Sequence, residues 1–230
     1  MGTETFRVLA VVALLAWAGA IVSGCQASPQ DDLNTASSSC DLPAVRSALA
    51  AGATVNPKGP DDFIPLLGAA GSGCADVVHA LLAAGANVNA ESDGVTALDE
   101  GAEGGDPQVI KALIAAGAKG LNAPGRSGLT LLYQIAADGK LANVKALISN
   151  GADVNSKNVG GETPLFAAAQ YGLPEMAQLL VSSGADVSVR NSLGETALRV
   201  ALDPLCVARW GTPKGHADVA AILRAHGAAT

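Results

Sequence analysis

Aromatic side chains are scarce in this chain of 230 residues, at only 3% of the sequence, and there are just four cysteines. Hydrophobic residues nevertheless make up 49% of the chain, so a core must be built from alanine, leucine, valine and isoleucine. Sheets depend on bulky β-forming side chains, whereas thin helices can pack closely on small ones. The composition therefore favours a helical fold.

Positive charge is also in short supply. Fourteen lysines and arginines against twenty-one aspartates and glutamates give a formal net charge of −7. Such a surface repels phosphate backbones, and the sequence has no basic stripe with interleaved aromatics and no zinc-finger spacing. We therefore expect no nucleic-acid binding.

Patterns for catalysis are missing as well. The acidic residues are dispersed, and no glycine-rich phosphate motif precedes a helix. His79, His216 and His226 are expected on solvated faces of helices, and the alternative is a metal site made by His216 and His226 across one helix. We expect no enzyme activity and no cofactor.

Residues 1–24 have the composition of an export signal. A short polar start ends at Arg7, an apolar run covers 8–22, and two small residues precede Cys25. Fifteen residues of helix rise about 22 Å, which is shorter than the hydrocarbon core of about 30 Å. The pattern favours a cleaved leader over a membrane span.

The tetrapeptide Val22-Ser23-Gly24-Cys25 resembles the lipobox of bacterial lipoproteins. The resemblance implies that the leader is cut before Cys25 and that Cys25 carries acyl chains such as palmitate, with residues 25–29 as a tether. It also implies a location on the periplasmic face of a bacterial envelope membrane, and Gln26 favours the outer one. The alternative is an ordinary secretory signal, or an uncleaved anchor, in which Cys25 is incidental.

The rest of the chain repeats with a period near thirty-three residues. One recurring line has the form Ala-Gly-Ala-Asn-Val-Asn, and its glycines are Gly52, Gly85, Gly117, Gly151, Gly184 and Gly227. A second line, such as Thr163-Pro164-Leu165, combines a helix-capping threonine with proline at the first helical position. A third line has apolar residues at i, i+3 and i+4, which predicts a second helix ended by the glycine.

These three motifs, which recur with the same period and in the same order, resemble the ankyrin repeat, whose consensus runs from a Thr-Pro-Leu-His-like helix start to Gly-Ala-Asp-Val-Asn. The resemblance covers 30–230 and implies an all-α solenoid of six helix-turn-helix units with extended hairpin loops. The predicted units are 30–57, 58–90, 91–123, 124–157, 158–190 and 191–230.

The sequence departs from that consensus in three places. No unit keeps the consensus His, which is replaced in the second to sixth units by Leu67, Asp99, Tyr133, Phe166 and Arg199. Ile64 stands where the second unit should have its threonine. The last unit carries about ten extra residues between Ala201 and Gly215, including Cys206 and Trp210.

Two of the cysteines fall in adjacent units. Cys40 and Cys74 lie twelve and eleven residues before the glycine that ends their unit, which places both in turns between helices. A disulfide needs Cα atoms within about 7 Å, while equivalent positions of packed units are expected about 10 Å apart. A bridge between Cys40 and Cys74 and a pair of free, partly buried thiols both remain open.

The resemblance implies that a partner protein meets the loop tips and the first helices. The residues at those variable positions are Asp61, Phe63, Asp93, Val95, Glu103, Arg126, Leu129, Asp138, Glu162, Gln170, Tyr171, Leu193 and Glu195. Their acidic and aromatic character suits a partner with a basic patch, although each could be an ordinary solvated side chain.

Three functions remain open for this sequence. The first is a monomeric scaffold or adaptor, anchored to the membrane through lipid, that binds another envelope protein. The second is an immunity protein or inhibitor that neutralises a secreted toxin or hydrolase. The third, of a different class, is an enzyme or metal-handling protein.

Overall fold

A computed structural model of the chain describes residues 28–57 and 63–229. The predicted leader, Cys25 and Asp61 lie outside these residues. Within them the structure contains thirteen helices and one short hairpin, so the expected all-α class is confirmed.

Twelve of the helices form six consecutive pairs. The pairs are α1 (Pro29–Ser38) with α2 (Leu42–Ala50), α3 (Pro65–Gly71) with α4 (Ala75–Ala83), α5 (Ala97–Gly104) with α6 (Pro107–Ala115), α7 (Leu131–Ala137) with α8 (Leu141–Ser149), α9 (Pro164–Gln170) with α10 (Pro174–Ser182), and α11 (Ala197–Ala201) with α13 (Pro213–Ala225). The extra residues of the last unit form α12 (Pro204–Arg209), a helix that the repeat pattern did not predict. Strands β1 (Glu91–Ser92) and β2 (Val95–Thr96) pair antiparallel between the second and third pairs.

The pairs stack so that like helices meet. Helices α1, α3, α5, α7, α9 and α11 contact each other in that order, and we call them the first-helix layer. Helices α2, α4, α6, α8, α10 and α13 do the same and form the second-helix layer. Each pair therefore packs on the pairs before and after it, as expected of a solenoid.

The predicted helix starts are confirmed, since helices begin directly after Thr96, Thr130, Thr163 and Thr196, and also after Ile64. The hydroxyl oxygens of Thr96, Thr130 and Thr196 accept hydrogen bonds from backbone N–H groups three residues on. Thr163 occupies the same position without such a bond, and Ile64, which has no hydroxyl, also leaves its helix without a side-chain cap.

The second helices end as the repeated glycines predicted. The six glycines have φ between 87° and 98°, a left-handed conformation that side chains with a Cβ disfavour. A leucine with no exposed surface stands four residues before each of the last five of these glycines. The five leucines are Leu81, Leu113, Leu147, Leu180 and Leu223. The core thus contains a row of equivalent leucines contributed by the second helices.

A ladder of asparagines joins the loops of consecutive pairs. Asn56, Asn89, Asn122 and Asn155 each donate from Nδ2 to the carbonyl of the next helix-ending glycine, at 2.8–3.5 Å. Each Oδ1 also accepts from a backbone N–H two residues beyond that glycine, at 2.7–2.9 Å. The sequence repeat contained these asparagines without revealing that they cross between units.

Cys40 and Cys74 are joined by a disulfide, with their Cα atoms 5.1 Å apart. The distance is shorter than the expected 10 Å because the two cysteines occupy different positions in their units. Cys40 has φ 61° and occupies the position that Gly73 occupies in the next unit. A Cβ placed on Gly73 would lie 3.5 Å from the Cβ of Asp106, which stands one unit further on at the position equivalent to Cys74. A side chain at this position therefore points directly at the neighbouring turn, which for Cys40 holds Cys74.

The asparagine ladder predicts a measurable loss of stability when one rung is removed. Asn155→Ala deletes two hydrogen bonds between units, so the free energy of unfolding should fall by about 1 to 2 kcal/mol in urea titrations. Ser188 holds the same position in the next unit and bonds only within its own loop, to Asp186. Ser188→Ala is the matched control, and an equal effect of both substitutions would contradict a role for the ladder.

The disulfide predicts a specific cross-linked peptide. Trypsin cuts after Arg46, Lys58 and Lys111, so non-reducing digestion should release the peptide ending at Arg46 bound to residues 59–111. Reduction should separate the two and lower the stability of the first units by about 2 to 4 kcal/mol. Recovery of both peptides unlinked from unreduced protein would refute the bridge.

Candidate protein-binding surface

Four of the residues predicted to contact a partner come together in one groove. Asp93, Val95, Glu103 and Arg126 line a groove of about 270 Å³ where the third and fourth units meet. Asp99 of α5 lines it as well and adds a third carboxylate. We call this the acidic groove.

One wall of the acidic groove is held by Arg126. Its guanidinium donates to the carbonyl oxygen of Asp93 and lies against Gly94. Asp93 and Gly94 both have positive φ, 51° and 74°, at the turn of the β1–β2 hairpin. The arginine therefore joins its own loop tip to that of the preceding unit, and its guanidinium interacts with a backbone carbonyl as well as with the groove.

A second group of predicted residues, Glu162, Gln170 and Tyr171, surrounds Tyr133, a side chain that the sequence analysis did not include in the surface. The hydroxyl of Tyr133 donates to Oε1 of Gln170 at 3.1 Å, although Tyr133 was noted only as a substitute for the consensus His. Burial, and then the nearby charge of Glu162, raise the pKa of Tyr133 well above its ordinary value. The phenol is therefore a neutral hydrogen-bonding group that connects α7 to α9.

The extra residues of the last unit extend this second group. The rings of Tyr171 and Trp210 make an edge-to-face contact with centroids 5.4 Å apart. The guanidinium carbon of Arg209 lies 4.9 Å from the centroid of Trp210. Leu205 on α12 leaves 77% of its surface exposed. Helix α12 thus adds apolar and aromatic surface at this end of the stack.

The remaining predicted residues are not gathered into either group. Asp138 pairs with Lys140 at 3.4 Å at the end of α7. Leu193 is 81% exposed at a loop tip, and Leu129 and Glu195 are half-buried beside their own tips. The predicted surface is therefore two clusters and several isolated positions.

Phe63, the last of the predicted residues, belongs to a separate and larger groove. This groove has a volume of about 570 Å³ and is lined by Ser38, Phe63, Ile64, Leu67, Gly68, Gly71, Ser72, Ser92 and Glu100. Glu100 was missed by sequence reasoning because its own unit gives no sign that it faces the glycines of α3. Burial, and then repulsion by Glu103 and Asp99, raise the pKa of Glu100.

The expectation for the histidines was wrong at His216. His79 and His226 are exposed, but His216 is buried, with Nε2 3.0 Å from the carbonyl oxygen of Gln170. Two glycines make room for the ring, since a Cβ at Gly172 or Gly211 would lie within 3 Å of it. The imidazole joins the last unit to the preceding one.

Two features are absent from the described residues. These residues contain no group of three or more His, Cys, Asp or Glu side chains arranged to hold a metal ion. None of the helices in this part of the chain has both the length and the apolar character needed to cross a membrane.

Comparison with known proteins agrees with the stacked helix pairs. A family model of three ankyrin repeats matches residues 101–191 and 131–229, and a single ankyrin-repeat model matches residues 61–92. A search of curated proteins found no match. Ankyrin repeats form protein–protein interaction domains and are generally non-enzymatic scaffolds. Because the matches cover more than half of the sequence, we conclude that the chain belongs to the ankyrin-repeat family.

Proposed function

We propose that this protein is a lipid-anchored adaptor of the bacterial envelope, which binds another protein through the first-helix layer and its loop tips. The observation that supports this most is the acidic groove, where three carboxylates from one unit meet the loop tip of the next. These side chains are solvent-accessible and do not hold the core together. The backbone that carries them is fixed by the stacked units, which lowers the entropy lost on binding.

The charge of the proposed surface indicates the chemistry of the partner. Asp93, Asp99 and Glu103 line the groove opposite a single cation, Arg126. The chain as a whole carries a formal charge of −7. Complementary potential speeds association and excludes acidic proteins, so a partner with a basic patch fits this surface best.

The proposed anchor is supported by the sequence alone. An apolar segment of the length found in signal peptides ends in Val22-Ser23-Gly24-Cys25. One acyl chain gives only marginal membrane binding, whereas several chains on one cysteine hold a protein firmly. The stack would then face the periplasm on a short tether and needs no lipid contact of its own.

The anchor predicts a labelling result for Cys25. Metabolic labelling with tritiated palmitate should mark the chain, and Cys25→Ser should abolish the label and release the protein from the membrane fraction. Cys206→Ser is the matched control and should keep both. Label that persists in the Cys25 variant would show that the lipobox resemblance misleads.

The binding surface predicts the effect of charge reversal. Replacing Asp93, Glu103 and Glu162 by Lys should reduce partner capture from envelope extracts about tenfold or more, because like charges at an interface cost several kcal/mol. Capture is measured by pull-down and mass spectrometry, which also identifies the partner. A basic scaffold component would fit the adaptor, whereas a toxin or hydrolase would indicate an inhibitor.

The matched control reverses three acidic residues of the second-helix layer. Asp76, Glu175 and Asp218 lie on α4, α10 and α13 and give the same change in net charge. Capture should survive this variant. Equal loss in both triple variants would mean that net charge, and not the proposed surface, governs binding.

A further inference from the structure

The larger groove has a floor made of two glycines. Gly68 and Gly71 lie about one turn apart on α3 and therefore share a face of the helix. A Cβ on Gly71 would lie 2.7 Å from Oε2 of Glu100, and a Cβ on Gly68 would collide with the ring of Phe63. Any larger side chain would therefore displace one of the two walls. We call this space the glycine-floored groove.

The two walls of the glycine-floored groove differ in chemistry. Phe63, Ile64 and Leu67 supply an apolar wall, and Phe63 leaves 41% of its surface exposed. Glu100 supplies a carboxylate on the other side of the same floor. The groove therefore offers an aromatic ring and an anion to one occupant.

The carboxylate of Glu100 has no partner of opposite charge among the residues that the structure describes. The ion pairs found there are Lys140 with Asp138 and Lys214 with Asp218. Burial and the repulsion from Glu103 and Asp99 raise the pKa of Glu100, because both make its charged form less stable than that of an isolated glutamate. A cation from outside would relieve that repulsion.

We propose that the glycine-floored groove receives an arginine side chain of the partner protein, with its guanidinium against the Phe63 ring and the Glu100 carboxylate. A planar guanidinium can stack on an aromatic face and donate two parallel hydrogen bonds to a carboxylate, which an ammonium cannot do. The volume of about 570 Å³ is in the range of ligand pockets, about 300 to 1,000 Å³. The site lies two helices from the first end of the stack, and it rests on the proposed function because it names one contact of the same partner.

The test uses two fluorescein-labelled heptapeptides, titrated into the full chain and followed by anisotropy. One has a central arginine between two leucines, and its twin has citrulline, which keeps the shape of arginine without the charge. The arginine peptide should bind about tenfold more tightly or better, as expected for charge-assisted hydrogen bonds. Glu100→Gln, which preserves the size of the side chain, should reduce the ratio to about twofold or less. Glu175→Gln on α10 is the matched control and should leave it unchanged.

Three results would overturn this proposal: equal affinity for the two peptides, a full preference for arginine in Glu100→Gln, or no binding of either peptide at millimolar concentration. None of them bears on the acidic groove, which contains neither Phe63 nor Glu100. Partner capture that depends on Asp93 and Glu103 while the peptides fail would keep the proposed function and reject the arginine site.

Discussion

The structure depends on one constraint, which is that a pair of helices of five to thirteen residues cannot hide its apolar side from water by itself. The five equivalent leucines, from Leu81 to Leu223, have no exposed surface in the stack, where each second helix packs on its own first helix and on the second helices beside it. A short helix of this size is also marginal in isolation. Stability therefore arises at the contacts between units, and the unit at each end needs a polar outer side. At the first end α1 meets this need with the exposed polar side chains of Asp31, Asp32 and Thr35.

Polar contacts reinforce the same joints at both ends of the helices. At the loop end the asparagine ladder crosses four consecutive joints. At the turn end, side chains near the start of a second helix bond to carbonyl oxygens on the first helix of the preceding unit. Asn143 of α8 bonds to Ala102 of α5, and His216 of α13 bonds to Gln170 of α9. The disulfide of Cys40 and Cys74 occupies the equivalent place at the first joint. Because the joints are held from within, the proposed binding surface on the first-helix layer is built from side chains that the core does not need.

The sequence predicted those features that recur once per unit and missed those that arise between units. Leu113 and Gly117 were predicted because apolar spacing and a helix-ending glycine repeat in register. Glu100 and Tyr133 were missed because each acquires its role only beside a neighbouring unit, Glu100 next to Gly71 of the preceding unit and Tyr133 next to Gln170 of the following one, and no local pattern encodes these contacts. His216 was assigned to solvent for a similar reason, since Gly172 and the Gln170 carbonyl beside its ring belong to the preceding unit and Gly211 lies in the insertion that breaks the period. Helix α12 breaks the period, so the repeat said nothing about its structure, and the leader lies outside the described residues.

The most direct test of stacking as the source of stability is urea unfolding of Leu113→Ala, followed by circular dichroism. Leu113 lies on α6 in the middle of the stack and is fully buried, so its truncation should lower the free energy of unfolding by about 2 to 5 kcal/mol. Because each unit contacts only its neighbours, the transition should also split as the two halves separate. Lys111→Ala, an exposed position on the same helix, should change neither quantity. A Leu113 variant that unfolds in one transition with the stability of the Lys111 variant would contradict the account.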